Sequence, residues 1–499
     1  MSFPVTVQRT AGPTARAHVA APAPPPIVVE RASLTRLPWW PALLVWGLSA
    51  VCSGALGLHL HATLRTGMDL AIFDQGIRAL SHGGAPVSAI KGGMSLWGDH
   101  FHPAIVVLVP LYWLWDDPRM LLLAQAVLVG AACAVLTRYA QQVLPARHRN
   151  RTATLIGLCL AGSVGVQGTV SFDFHEVCLA AVPVALSATA LARRRWTPAI
   201  GWALVALPVK EDMGLVVLGV AIVLVVHGQT RRAIAPIVLA LGWTAVVVKL
   251  VIPGIAGHGW TYQATVSGGV TTLLGNLGAS LTRIDGIGVT SLVLLLATGL
   301  LALRSPVALS ALPMLLARGA TSGSHLPMLG YHYDLLPQIF LFAAAIQVLG
   351  RLQPAALRVA VRRLVLLILL LLLVGPCMWR LVAGALLEDR PGQAARALGE
   401  LPAGAVVAVD PVLASHASRH HEQLRLLEPA TAPDRSTGWV VLDLRRHNLP
   451  GTEPGQPRVT ALEGLGYRMV ARHGDFVVLH RSGWRRRCHA GCGTPHSRR

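Results

Sequence analysis

Apolar stretches of about 15 to 22 residues recur from Trp39 onward, each closed by a short polar or basic break. A helix needs about 20 apolar residues to cross the hydrocarbon of a bilayer, so the pattern predicts a polytopic, all-α membrane protein with about eleven spans. They fall at Trp39–Leu60, Met120–Tyr139, Thr152–Val170, Val177–Ala192, Pro198–Val209, Met213–Val226 and Ala233–Ile252, then at 286–303, 306–317, 333–349 and Leu364–Leu387. One stretch breaks the rule. PAIVVLVPLYWLW, residues 103–115, is 13 residues long, is interrupted by Pro110 and runs into DDPR. It is too short for a comfortable span, and its aromatics suit an interface, which predicts a helix lying on the outer membrane surface. Near the C-terminus the period changes. AGAVVAVDP, GWVVLDLRR and YRMVARHGDFVVLHRS are β-branched runs bounded by Gly, Pro and Asp, with helix-compatible stretches between them. They predict a small soluble α/β domain over residues 388–482, following the membrane domain at 39–387.

Charge supplies the orientation. The 499 residues carry a formal net charge of +20, yet only 13% are charged, against about 25% in soluble domains. The arginines cluster between apolar runs: RHRNR at 147–151, RRR at 193–195, RR at 231–232 and RVAVRR at 358–363. That is the distribution of cytoplasmic loops, not of a basic nucleic-acid-binding face with interleaved aromatics, so no nucleic-acid partner is expected. The tail 1–38, with APAPPP, reads as disordered and cytoplasmic; its apolar run begins too late for a signal peptide. The basic tail 483–499 carries Cys488, His489, Cys492 and His496, an incomplete zinc knuckle that reads as disordered. SHASRHH, 415–421, lacks regular metal spacing and is expected to be a solvated helix end.

Arginines alone set this topology, and FDQ, GDHFHP, FDFHE, KED and SHLPMLGYHYD all emerge on the same, outer side. Polar groups near membrane helices are costly and usually kept for a pathway or site. They therefore point to one extracytoplasmic polar cavity, although outer loops that are merely polar would explain some of them.

DLAIFDQGIRAL, GDHFHPAIVVLVPLYWLW, FDFHE and VKEDMGL, in that order within residues 50–350, resemble the signatures of an uncharacterised bacterial membrane family, domain of unknown function 2079, grouped with the GT-C glycosyltransferases. The resemblance implies a GT-C-like membrane domain. The wider group implies an enzyme that uses a lipid-phosphate-linked sugar outside the cytoplasmic membrane, with an acid near the end of span one.

Transfer from a polyprenyl phosphate needs a base for the acceptor hydroxyl and cations for the departing phosphate. Asp69 and Asp74 are the catalytic candidates. They are five residues apart, about 140° around a helix, so both cannot comfortably face one atom, and Asp74 could instead pair with Arg78. Lys210 is the expected phosphate partner, unless it only neutralises Glu211 and Asp212; His332 and Arg318 are second choices. Asp99, His100, Glu211, Asp212 and His332 are expected to touch substrate. Asp99, His102, Asp173, His175 and Glu176 could hold a divalent ion such as magnesium or manganese. The expected partners are membrane lipids, a polyprenyl-phosphate sugar and a cell-envelope acceptor. A transporter or flippase, or a non-catalytic glycan-binding relative, would use the same cavity.

Overall fold

The structure is a computed structural model that describes residues 37–263, 269–322, 326–378, 381, 390–421, 423–427, 433, 434, 436–445 and 455–481. The two tails and most of the expected end of the eleventh span lie outside these residues.

Four helices are long and apolar enough to cross a membrane: α1 (Trp40–Ala62), α4 (Arg119–Val143), α10 (Thr230–Ala256) and α14 (His332–Leu349). Between α1 and α4 lie α2 (Met68–Ser81) and α3 (Pro103–Leu114). Two bent pairs supply up to two more crossings: α5 (Arg149–Ala161) with α6 (Val164–Phe172), bent by 47°, and α11 (Gly269–Thr282) with α12 (Ile287–Leu296), bent by 54°. Cys178–Ala192 (α7), Trp196–Val209 (α8) and Pro306–Ala320 (α13) are shorter, as is α9 (Gly214–Val226). Among the described residues, four helices, or six spans with each bent pair counted as one, have the length and composition of a crossing, against the eleven expected. The reason is that apolar runs are cut by polar motifs that end helices. α6 stops before Asp173 and α8 before Lys210, both in extended backbone. Irregular backbone of this kind is tolerated in a membrane protein where it is buried or lines a cavity.

α1 and α4 form a tight pair. A Cβ at Gly130 would lie 3.0 Å from the Trp46 carbonyl oxygen, so only glycine allows this approach. Trp46 Nε1 donates to the Val127 carbonyl at 3.1 Å. α14 is buried nearly all round and carries its own polar pins. Gln347 donates to the Ala192 carbonyl at 2.5 Å and accepts from Ser305 at 2.6 Å. α10 is the opposite case, exposing Val238, Leu239, Leu241 and Leu250 as a lipid-facing edge. α3, over the stretch too short to cross, exposes Val106, Val107, Trp113 and Leu114 while burying Ile105, Leu108 and Tyr112. Apolar on both sides, it suits a membrane surface above a protein core. α15 (Pro354–Val374) begins at Pro354 rather than Leu364, so Arg358, Arg362 and Arg363 ride on a helix instead of a loop. Proline at the first helical position favours this start.

The C-terminal unit is a five-stranded sheet in the order β4-β3-β5-β7-β6. β3 (Val407–Val409), β4 (Leu424–Leu426) and β5 (Trp439–Asp443) are parallel; β7 (Phe476–His480) is antiparallel to β5 and to β6 (Arg468–His473). Alternation sorts the faces as a strand period of two requires. Val407, Val409, Val441 and Val478 pack with Ala394 and Ala397 of α16 (Arg390–Gly399). Ala408, Val440, Leu442 and Val477 pack with Val459 and Leu462 of α17 (Gly455–Gly464). Leu64 and Ala71 join the first of these cores, which seats the sheet on α2.

SHASRHH is not a solvated helix end. Ser415 Oγ lies 2.9 Å from Thr66 Oγ1, and the His416 ring stacks on His61 with centroids 4.1 Å apart and planes 7° from parallel. His416 Nε2 is also 3.0 Å from the His61 carbonyl, and His421 is buried. His416 is used in docking, while Arg419 and His420 stay exposed.

Candidate functional site

The site is assembled at the N-terminus of α2. No side chain of its own caps this helix. Asp173, more than a hundred residues away in sequence, does so: Oδ2 accepts from the amides of Gly67 at 2.9 Å and Leu70 at 3.1 Å, while Oδ1 accepts from Phe174 at 2.9 Å. Two of the amides that a helix start leaves unpaired are thereby satisfied. The FDFHE turn is held in its turn by Gln125 of α4, which donates to the Asp173 carbonyl at 2.8 Å and accepts from the His175 amide at 3.1 Å. Burial, then the neighbouring Asp69, push the Asp173 carboxyl up to about 7 against the pull of these amides.

This arrangement delivers Asp69 and His175 to each other. Asp69 Oδ2 is 3.4 Å from His175 Nε2, and the Asp69 side chain remains 30% exposed. Burial works to raise its carboxyl, but the His175 contact and charge outweigh it and hold Asp69 below the usual carboxylate range. It is therefore ionised at neutral pH. The His175 ring stacks on His332 with centroids 3.5 Å apart, and neither nitrogen of His332 has a hydrogen-bond partner among the described residues. Phe73, Phe172 and Tyr333 wall this histidine pair.

Beside it, Glu176 and Lys210 form a buried ion pair at 2.8 Å. Burial would lower the Lys210 ammonium, but Glu176, Asp212 and Glu211 drive it well above its ordinary value. Desolvation opposes the Glu176 charge, yet Lys210 and the nearby histidines hold its carboxyl far below the usual range. His102 is buried, which lowers it to about 4, so it is neutral at physiological pH. Along the rim, His100 Nδ1 meets Glu211 Oε1 at 2.5 Å and its ring stacks on Tyr262 at 4.4 Å. Asp212 is pushed up to about 6, by burial first, with Glu211 and Glu176 adding to it.

Lys91 has no signal in the sequence. It sits in a glycine-rich turn between β1 (Val87–Ser88) and β2 (Met94–Ser95), pairs with Asp99 at 2.9 Å and contributes to the field at Asp69. Its side chain is 27% exposed against 9% for Lys210, so it is the more accessible of the two ammonium groups.

Of the two roles open to Asp74, the structure shows the pairing with Arg78: buried, it takes both Arg78 amino groups, at 2.7 and 2.8 Å, and the Tyr112 hydroxyl at 2.8 Å, which ties α2 to α3 and leaves Asp69 as the catalytic candidate. Two expectations need correction. Arg318 is consumed by Asp334 at 2.8 Å and by the carbonyls of Leu326, Met328 and Tyr333. A divalent ion held by Asp99, His102, Asp173, His175 and Glu176 does not fit. Asp99 is bound to Lys91, Asp173 to three amides and Glu176 to Lys210. Among the described residues no three His, Cys, Asp or Glu side chains come close enough to share an ion.

Gly168 on α6 sets the spacing of the histidine pair. A Cβ there would lie 2.8 Å from the Gly330 carbonyl carbon and 3.0 Å from the Tyr331 oxygen, just before His332. Gly168→Ala is expected to cost about 1–3 kcal/mol of stability by overpacking, read as a lower melting temperature in detergent. Unchanged melting would show that the loop yields freely.

The sequence profile of a family described as a predicted membrane protein (DUF2079) matches residues 60–448. Two solved structures share the fold. ArnT from Cupriavidus metallidurans bound to undecaprenyl phosphate is 14% identical, with a TM-score of 0.53, over 87% of this chain and 97% of that one. The same protein in its apo state is 15% identical, with a TM-score of 0.51, over 88% and 98%. Similarity at this identity establishes a shared fold and nothing about substrate. No curated protein matches the sequence.

Proposed function

Because the chain belongs to the predicted membrane protein family DUF2079 and folds as ArnT does, we propose that it is a membrane glycosyltransferase. On this reading it moves a sugar from a polyprenyl-phosphate donor to a cell-envelope acceptor on the extracytoplasmic side. The observation that carries the reading is Asp69: an ionised, partly open carboxylate held against His175, with the Lys91 ammonium adding to the field around it. Asp69 takes the proton of the acceptor hydroxyl, whose oxygen attacks the anomeric carbon. The bond from that carbon to the phosphate oxygen breaks, and polyprenyl phosphate departs. Lys91 steadies the leaving phosphate, with Lys210 behind it. His100, Glu211 and His332 line the acceptor side. The ArnT bound to undecaprenyl phosphate supports a lipid-linked donor.

The test is to incubate the purified protein in detergent with a panel of polyprenyl-phosphate sugars and measure sugar release and polyprenyl phosphate formed. One observation favours transport instead. Acids outnumber ammonium groups around the site, and burial pushes the Asp173 carboxyl up to about 7 and the Asp212 carboxyl up to about 6, toward the range in which proton-coupling groups work. Gradient-dependent movement of substrate in proteoliposomes with no covalent product would select that second reading.

Orientation belongs to the same proposal. With the α4–α5 loop cytoplasmic and the α1–α4 segment outside, a cysteine at Arg149 is expected to resist an impermeant thiol reagent in intact cells. One placed at His82 is expected to react. The reverse pattern would put the Asp69 site on the wrong side for an exported lipid-linked sugar.

A further inference from the structure

A cavity of about 490 Å³ opens where the last turn of α1 meets the C-terminal unit. It shares no residue with the Asp69 site. Its volume lies in the range of small-molecule sites, and its lining is divided by polarity. Leu58, Ala62, Trp115 and Pro118 form an apolar side, supplied by the end of a membrane-crossing helix and the turn after α3. The other side is basic. Arg119 holds Asp117 through two bonds of 2.7 Å and lies over the Trp115 ring at 4.8 Å. Arg419 reaches the same carboxylate at 3.2 Å from the opposite wall, with 45% of its side chain exposed. One carboxylate thus faces two guanidiniums, and His420 stands beside Arg419 on the exposed wall. The stacked His61 and His416 rings close the back, and their contact fixes the distance between the walls.

An apolar side at a helix end and a surplus of positive charge opposite it fit a phosphate-bearing amphiphile. Guanidinium and imidazole groups recognise phosphate oxygens by charge-assisted hydrogen bonds. We propose that this cavity binds the phosphate of an anionic headgroup, bridging α1, the start of α4 and the C-terminal unit. Bound there, the ligand neutralises the second guanidinium and clamps the C-terminal unit onto the end of α1 and the start of α4. The phosphate could come from a membrane phospholipid or from a soluble phosphate ester; the recognition chemistry is shared.

The full-length protein, delipidated in detergent, is titrated with phosphatidylglycerol, with phosphatidylcholine of the same acyl chains, and with inorganic phosphate, and bound ligand is read by native mass spectrometry. Wild type is expected to retain phosphatidylglycerol in preference to phosphatidylcholine. Arg419→Gln with His420→Gln should weaken that binding by about tenfold or more, the usual worth of a hydrogen bond to a charged group. Both side chains are exposed, so folding should survive, and an unchanged melting temperature confirms it. Asp117→Asn, which removes the carboxylate competing for both arginines, should strengthen binding. Displacement of the lipid by millimolar inorganic phosphate supports the proposal with a soluble source; retention against it supports the proposal with the lipid as source. Asp69→Asn should bind as wild type does, so a failed transferase reading leaves this result standing. Equal retention of the two lipids, or undiminished binding by the Arg419/His420 variant, overturns the proposal.

Discussion

Asp69→Asn is expected to lower sugar transfer by about 10²–10⁴-fold, the usual cost of removing a general base, while leaving the protein folded. The fold should tolerate it because the Asp69 contact to His175 is long, at 3.4 Å, and partly open to solvent. Asparagine keeps the size of the side chain and one acceptor oxygen, so only the capacity to take a proton is lost. Asp74→Asn should behave in the opposite way. That carboxylate is buried beneath Arg78 and Tyr112, so its loss weakens the ion pair that holds Arg78, which keeps only Asp116 and the Ser418 carbonyl at full strength, and loosens α2 from α3. The expected signature is a depressed melting temperature with turnover per folded molecule largely kept. Measuring kcat and Tm for both variants separates the two roles. Wild-type turnover by Asp69→Asn would remove it as the base and leave His175, its neighbour, as the group to examine next.

The second large effect falls on the Glu176–Lys210 pair. Lys210→Met leaves a buried carboxylate with its ammonium partner removed, and breaking a buried pair from one side typically costs about 3–5 kcal/mol. Lys210→Met with Glu176→Gln removes both charges and should recover most of that loss, which a double-mutant cycle on thermal unfolding would read. If the single and double variants melt together, the pair does not hold the site. The pH dependence has a definite sign. Glu176 is held below its ordinary value, so its contribution is present above the unfolded carboxylate range and lost only in strong acid. Lys210 is held above its ordinary value, so its contribution is present below the unfolded lysine range and lost only in strong base. Between roughly pH 5 and 10 the pair should therefore add a constant increment. Lys91→Ala, by contrast, removes a more open ammonium and should weaken donor binding with little change in Tm.

Hydropathy and charge along the chain were enough to predict a membrane protein, a short separate helix over residues 103–114, the sheet of the C-terminal unit and the order of the polar motifs. These are local properties. The cost of exposing an apolar run to water, or of leaving a backbone unpaired in lipid, adds up residue by residue and needs no knowledge of neighbours. Asp69 was legible for the same reason, since it follows the first span within a few residues.

Partnership was not legible. Asp69 with His175, Glu176 with Lys210, Asp173 capping α2 and His416 stacked on His61 each join residues separated by a turn of the helix bundle or by the whole chain. The spacing of Asp74 and Arg78 left their pairing open, but the Tyr112 hydroxyl on the same carboxylate took the packing of α3 on α2. Lys91 looked like an ordinary loop residue until a short hairpin carried it to Asp99. The ends of the helices also required the tertiary structure, because an apolar run does not disclose where a polar side chain finds a buried partner and so allows the helix to stop. Hydrophobicity is additive along a sequence, whereas an ion pair depends on direction and distance in space. The first told this chain where to live, and only the folded packing of α2, α4, α6 and the α8–α9 turn decided which of its charges meet.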